Sequence, residues 1–404
     1  MIFGAKIPPP LQKILGGLKL AYQETKKSIQ KLSRKRFYAE WQHALPNLQF
    51  RLINQCNEYC DDCIEKSGPN NPDTVFPLND MKSIIENAGP VGSVSAYGGE
   101  PSLVLKKHPE YWAEMFNLQS YEFKKHFTIQ TNGKWYIGPH KERIFNDLAQ
   151  MQKKLAASGA NLQLTMSVDM HHSGITTECV KQIVREITSN EKFRGISICL
   201  KARRNVAPEI IYENVLNKEY LARHGVKLEL DKETENHPFY KEYNANGHEV
   251  RVESTYVTLR IGRAADNKIG YIIFNPEEQI SGIDNTPVKE REMCVCFRED
   301  GTAEWVQYYN WNVKTEFRNA DKSLKPFRQV REELMATAYK RRFAYYLKEL
   351  ILSSIPGVQI IHALYDNHKR TKVNESGDGE GSKIVLVSVK DLVPVGEIES
   401  MKSR

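Results

Sequence analysis

From about Asn47 the chain alternates short apolar runs with longer stretches of helical period. LQFRLIN, VGSVSAY, HFTIQTN, LQLTMSVD, GISICLKA and VKLELD read as buried strands. Between them LNDMKSIIENA, KERIFNDLAQMQKKLAASG and TECVKQIVREITS carry apolar residues three and four apart, the spacing of a helix with one buried face. The first of these helices begins after Pro77, with Asn79 or Asp80 near its N-terminus. Strands alternating with helices predict βαβ units and a parallel sheet. Six such strands predict an α/β fold of the partial (β/α)6 TIM-like barrel type, with functional groups at the C-terminal strand ends.

Both flanks break this rhythm. Leu11, Ile14, Leu15, Leu18 and Tyr22 predict a helix that Pro8-Pro9-Pro10 can precede but not enter. Beyond Gly262, the stretch from Asn275 to Val288 is rich in Pro, Gly, Asp and Asn and reads as a loop. CVCFREDGTAEWVQYY predicts a hairpin turning at Asp300-Gly301. KPFRQVREELMATAYKRRFAYYLKELILSS reads as one or two helices, and the Gly-rich NESGDGEGSK precedes a last strand at IVLVSV. The expected organisation is a basic helical extension (1–47), an α/β core (48–275) and an α+β region (276–404).

Composition narrows the class. With 404 residues, 40% hydrophobic, the chain can bury a sizeable core. It has no apolar run of eighteen residues, and its opening MIFGAKIPPPLQK lacks the pattern of a secretory signal, so a cytoplasmic protein without a membrane partner is expected. The net charge of +7 is concentrated in Lys26, Lys27, Lys31, Arg34, Lys35 and Arg36. That run is a solvated helix face or a contact for phosphate, anionic membrane or acidic peptide.

Seven cysteines, three of them within eight residues, do not suit a disulfide framework. In RLINQCNEYCDDC a strand ends and delivers Cys56, Cys60 and Cys63 on one loop. Thiolates are the ligands of iron–sulfur clusters and also of zinc, for which a fourth Cys or His is normally needed. On its residues alone the triplet leaves both open, and a zinc-stapled protein using the basic run on nucleic acid is one alternative. The second strand runs into Gly98-Gly99-Glu100-Pro101, where two glycines permit close backbone approach and a carboxylate can accept from an ammonium group.

The spacing CxxxCxxC after the first strand of a βα repeat resembles the radical S-adenosylmethionine (SAM) family, although Asp62 stands where that family often has an aromatic residue. Gly98-Gly99-Glu100-Pro101 resembles its GGEP motif and Thr131-Asn132-Gly133 its TNG. Ser167-Val168-Asp169 resembles its S-x-D and Gly262-Arg263-Ala264 a GRA element. The resemblance covers roughly residues 48 to 270. It implies a [4Fe–4S] cluster on Cys56, Cys60 and Cys63 that cleaves SAM to a 5′-deoxyadenosyl radical, which then abstracts hydrogen from a substrate. It assigns Gly98, Gly99, Glu100, Pro101, Thr131, Asn132, Ser167, Asp169, Arg203, Gly262 and Arg263 to SAM. It also implies an electron donor of reductase or flavodoxin type.

The expected substrate is a peptide or protein side chain, because the C-terminal part resembles a cysteine-poor form of peptide-modifying extensions. A sugar, nucleoside or antibiotic intermediate is the second choice, and nucleic acid is not expected. Cys294 and Cys296 are too few for a full auxiliary cluster, while Cys179 and Cys199 read as small core residues. His171 and His172 follow Asp169 and could contact substrate or move a proton.

Overall fold

The computed structural model describes residues 34–60, 63, 65–108, 123–168, 174–203, 211, 214–231, 240–255, 292–306 and 313–353, together with Leu20 and Gln23. Outside these lie the expected helix at 11–22 apart from Leu20, the loop at 275–288, the strand at IVLVSV, and Asp169, His171, His172, Gly262 and Arg263. One compact unit spans 29–344; a second consists of 1–28 with 345–404. Described residues of the second unit are Leu20, Gln23 and the helical residues 345–353.

The first unit is built on one mixed sheet. The described strands are β1 (Leu45–Ile53), β2 (Val91–Gly98), β3 (Phe123–Thr131), β4 (Asn161–Ser167), β5 (Ser197–Arg203), β6 (Leu228–Leu230), β7 (Tyr240–Ala245), β8 (His248–Thr255), β9 (Glu292–Phe297), β10 (Thr302–Trp305) and β11 (Lys314–Glu316). The helices are α1 (Arg34–Trp41), α2 (Leu78–Ala88), α3 (Ser102–Lys107), α4 (Lys141–Ala157), α5 (Gly174–Thr188), α6 (Lys218–Arg223) and α7 (Phe327–Ser353). Sheet order is β11-β10-β9-β1-β2-β3-β4-β5-β8-β7-β6. From β9 through β8 every neighbour is parallel.

Strands β1 to β5 lie side by side in chain order, with α2 to α5 in the connections between them. Right-handed crossovers that never reverse direction put all their helices on one face. The register shows the consequence. One face carries Leu48, Phe50, Val94, Phe127, Leu164, Ile198, Leu200 and Val252, all 3% exposed or less. The helices contribute Met81, Ile84 and Ile85 from α2, Phe145, Leu148 and Met151 from α4, and Val180, Ile183 and Val184 from α5 to the same core. The opposite face is polar: Gln49, Arg51, Tyr97, Thr128, Gln163, Thr165, Lys201, Arg251 and Glu253 occupy the alternate positions.

One element departs from the sequence-based expectation. VKLELD is not the sixth parallel strand; β6 lies at the sheet's edge, antiparallel to β7. The strand beside β5 is β8, reached through a two-residue turn at Asn246-Gly247 with φ of 52° and 86°. Two consecutive positive φ values match the twist of a tight hairpin, and Asn-Gly is the pair that tolerates them. Helix α2 begins after Pro77 as expected; Pro77 takes the cap position without a side-chain cap, and Asp80 sits in the first turn and pairs with Arg318.

The hairpin β9–β10 forms as expected, turning at Gly301 (φ 92°) with Asp300 accepting from the Thr302 amide at 3.0 Å. It continues the same sheet, β9 running parallel to β1. Trp305 from β10 meets Trp41 of α1 edge-on at 4.6 Å. Arg331 of α7 donates to the Gln42 and Ala44 carbonyls in the turn between α1 and β1. KPFRQVREELMATAYKRRFAYYLKELILSS forms a single helix from Phe327 to Ser353.

Candidate functional site

The C-terminal ends of β1, β2 and β3 meet at the cysteine loop. β1 ends at Ile53 and the next backbone groups keep pairing: the Gly99 amide donates to the Ile53 carbonyl (2.7 Å) and the Glu100 amide to the Gln55 carbonyl (3.0 Å). A Cβ at Gly99 would overlap the Gln55 carbonyl, and Gly98 holds φ at 138° against Ile53. The pair of glycines therefore permits close approach of the chain's own cysteine loop.

Glu100 is fully buried and its carboxylate is surrounded by protein donors. Oε1 accepts from the Thr131 hydroxyl (2.7 Å) and the Ser102 amide (3.1 Å), and Oε2 from the Asn132 amide (2.8 Å). Burial pushes this carboxyl above the ordinary range, while the Asn132 amide and the other donors pull it back. Glu100 thus clamps the end of β2 to the end of β3. Pro101 is buried at the start of α3. Gly133 (φ 80°) turns the chain into the 3₁₀ segment Lys134–Ile137.

Asn132 reaches from β3 to the loop. Its Nδ2 donates to Asn57 Oδ1 (2.6 Å) and lies 3.9 Å from Cys56 Sγ. Cys56 is buried, its amide donating to the Gly68 carbonyl (3.1 Å); Cys60 and Cys63 are half-buried. The Ser67 amide donates to Cys63 Sγ at 3.3 Å. Burial pushes the Cys56 thiol up to about 12, and the nearby Glu100 adds to this.

Two carboxylates that the sequence reading did not single out hold this loop from either side. Glu58, between Cys56 and Cys60, accepts from the buried Thr176 hydroxyl of α5 (2.6 Å) and pairs with Lys134 (2.7 Å). Cys60 Sγ donates to its other oxygen at 3.9 Å. Glu65 pairs with Arg51 of β1 (2.9 Å) and with Arg298, which follows β9; Arg298 also pairs with Glu304 (3.1 Å) and Arg51 with Glu299. Only their neighbourhood to the cysteines in sequence could have flagged them.

The remaining expected residues are more dispersed. Ser167 ends β4 opposite Lys201 of β5, and Arg203 ends β5. Cys294 and Cys296 share the polar face of β9, in register with Asn47 and Gln49. Cys296 Sγ lies 2.6 Å from the Tyr97 hydroxyl. Cys179 and Cys199 are buried at 2% and 0% exposure, in α5 and β5.

Among the described residues no three His, Cys, Asp or Glu side chains are arranged as a closed metal-binding group. The donor chemistry nevertheless suits an iron–sulfur group. Three thiols share one short loop, and amide N–H groups point at two of the sulfurs. No described helix is long and apolar enough to cross a membrane.

No protein-family description matches the chain, and no curated protein matches it. Solved structures of SuiB from Streptococcus suis are similar to it. The complex with S-adenosylmethionine is 12% identical, with a TM-score of 0.34, covering 72% of this chain and 66% of SuiB. The complex with the precursor peptide SuiA is 13% identical, with a TM-score of 0.33, covering 76% and 68%. SuiB alone is 12% identical, with a TM-score of 0.34, covering 73% and 67%. This chain thus spans about two thirds of SuiB's length. At such values the functional reading rests on the chain's own residues.

Proposed function

We propose that this chain is a radical SAM enzyme, with Cys56, Cys60 and Cys63 holding a [4Fe–4S] cluster at the mouth of a partial (β/α)6 barrel. The observation that carries the reading is one hydrogen-bonded junction. Residues spread over Ile53 to Asn132 converge through Gly99, Glu100, Thr131 and Asn132 onto the cysteine loop. A cysteine triplet by itself supports only a metal site. Its attachment to the Gly-Gly-Glu-Pro and Thr-Asn-Gly strand ends supports the SAM reading.

When bound, the cluster supplies the electron that cleaves SAM to a 5′-deoxyadenosyl radical. The chain's own contribution is positioning. Glu100 fixes the spacing of the β2 and β3 ends, so that the strand ends bordering the cysteine loop keep a set geometry. The carboxylate of Glu100 is already taken by three protein donors, which leaves the SAM ammonium group to backbone acceptors at this strand end. Ser167 and Arg203, with Asp169, Gly262 and Arg263, are assigned to SAM by the family resemblance. The polar sheet face offers both charges and amides through Gln163, Lys201, Arg251 and Glu253, which suits a peptide substrate. A flavodoxin-type protein or reductase is the proposed electron donor.

Anaerobic reconstitution with iron and sulfide tests the reading. About four irons per chain are expected, with 5′-deoxyadenosine released from SAM only when dithionite is present. Stoichiometric zinc without SAM cleavage overturns it.

A further inference from the structure

Glu58 and Lys134 form a charge pair set against one of the three cysteines; Glu58 stands at an unspecified position within the CxxxCxxC spacing, and Lys134 directly follows Thr131-Asn132-Gly133. Glu58 is 7% exposed, with Oε1 held by Thr176 at 2.6 Å and Lys134 at 2.7 Å. Its Oε2 lies 3.9 Å from Cys60 Sγ. Lys134 is anchored by the turn at Gly133, directly after the Thr131-Asn132 strand end.

The arrangement changes meaning once Cys60 binds metal. A ligating thiolate has no proton to donate, so the 3.9 Å contact becomes two negative groups facing each other in a poorly solvated place. Such a neighbour disfavours adding an electron to the bound group unless a cation offsets it. Lys134 is that cation, held on the same carboxylate.

We propose that Glu58 and Lys134 are positioning residues that together set the reduction potential of the cluster on Cys56, Cys60 and Cys63. Glu58 holds the loop against α5 and places negative charge at Cys60; Lys134 cancels that charge. The inference rests on the function proposed above.

The two residues carry opposite charge, so their removal has opposite effects. In the reconstituted full chain, E58Q leaves Lys134 uncompensated and raises the cluster midpoint potential, measured by redox titration followed by electron paramagnetic resonance. K134M removes the positive charge held on Glu58 and lowers it. K134R keeps the charge and restores the wild-type value. A purely structural clamp predicts no such sign reversal. If E58Q fails to hold iron, the comparison of K134M with K134R still decides the matter. Equal potentials in wild type and K134M, at equal iron content, overturn the inference while leaving the enzyme class intact. A wild-type chain that holds no iron–sulfur cluster overturns the enzyme class instead.

Discussion

The chain has two clusters of cysteine on its sheet, and their surroundings differ in kind. Cys56, Cys60 and Cys63 lie on a loop beyond a strand end, with the Ser67 backbone amide on one sulfur and the Asn132 side-chain amide near another. Cys294 and Cys296 lie within β9, flanked by β1 and β10. Burial pushes both of these thiols up to about 12, and Cys296 meets the Tyr97 hydroxyl rather than an amide. A loop can turn several sulfurs toward one point and leave space for a ligand. A central strand fixes its side chains at the pitch of the sheet and cannot turn them toward one point. The difference teaches that position on the fold, more than residue type, decides which thiols can do chemistry.

Substitution of Cys60 by Ala should break the comparison most completely. It is expected to abolish SAM cleavage and remove most bound iron, whereas Cys296→Ala should leave the iron content nearly intact. Iron analysis and 5′-deoxyadenosine release measure both, and loss of iron in Cys296→Ala would equate the two regions.

A smaller effect is expected at the loop's support. Gly99→Ala places a methyl group where the Gln55 backbone stands, and backbone cannot swing aside as a side chain can. Overpacking of this kind costs about 1–3 kcal/mol, and chemical denaturation should show it together with reduced iron uptake. A variant as stable as wild type would show that the junction is loose.

The smallest effect sharpens the other side of the comparison. A thiol whose folded value is near 12 contributes stability that is complete below its unfolded value of 9.0 and is lost as pH rises through the folded one. The iron-free chain should therefore lose stability from about pH 9 upward. Replacing Cys294 and Cys296 together by Val should reduce that loss without removing it, since Cys56 and Cys199 are also pushed up to about 12. Denaturation curves at pH 8 and pH 10 make the test.

The elements were readable where one period ran uninterrupted. LNDMKSIIENA and the stretch from Lys141 to Ala157 are helices because their apolar residues recur at helical spacing and pack on the sheet. The sixth strand was misread because VKLELD alternates as well as β8 does. The better signal, Asn246-Gly247 between YKEYNA and HEVRVEST, marks the hairpin that brings β8 beside β5. The cysteine loop and the Gly98 to Pro101 turn were legible as motifs. Glu58, Glu65, Arg51 and Arg298 were not, because most of their partners lie 14 to 248 residues away.

By itself the sequence determined the alternation of strand and helix, the apolar face of each, and three thiols on one short loop, since all of these depend on neighbours in the chain. Only the tertiary structure decided that the other sheet face is polar across six strands, that β9 joins β1, and that Glu100 serves the protein's own strand ends. Those outcomes depend on register and on which chain ends meet. A period of two specifies that alternate residues face opposite ways, but the pairing of distant strands determines what they face.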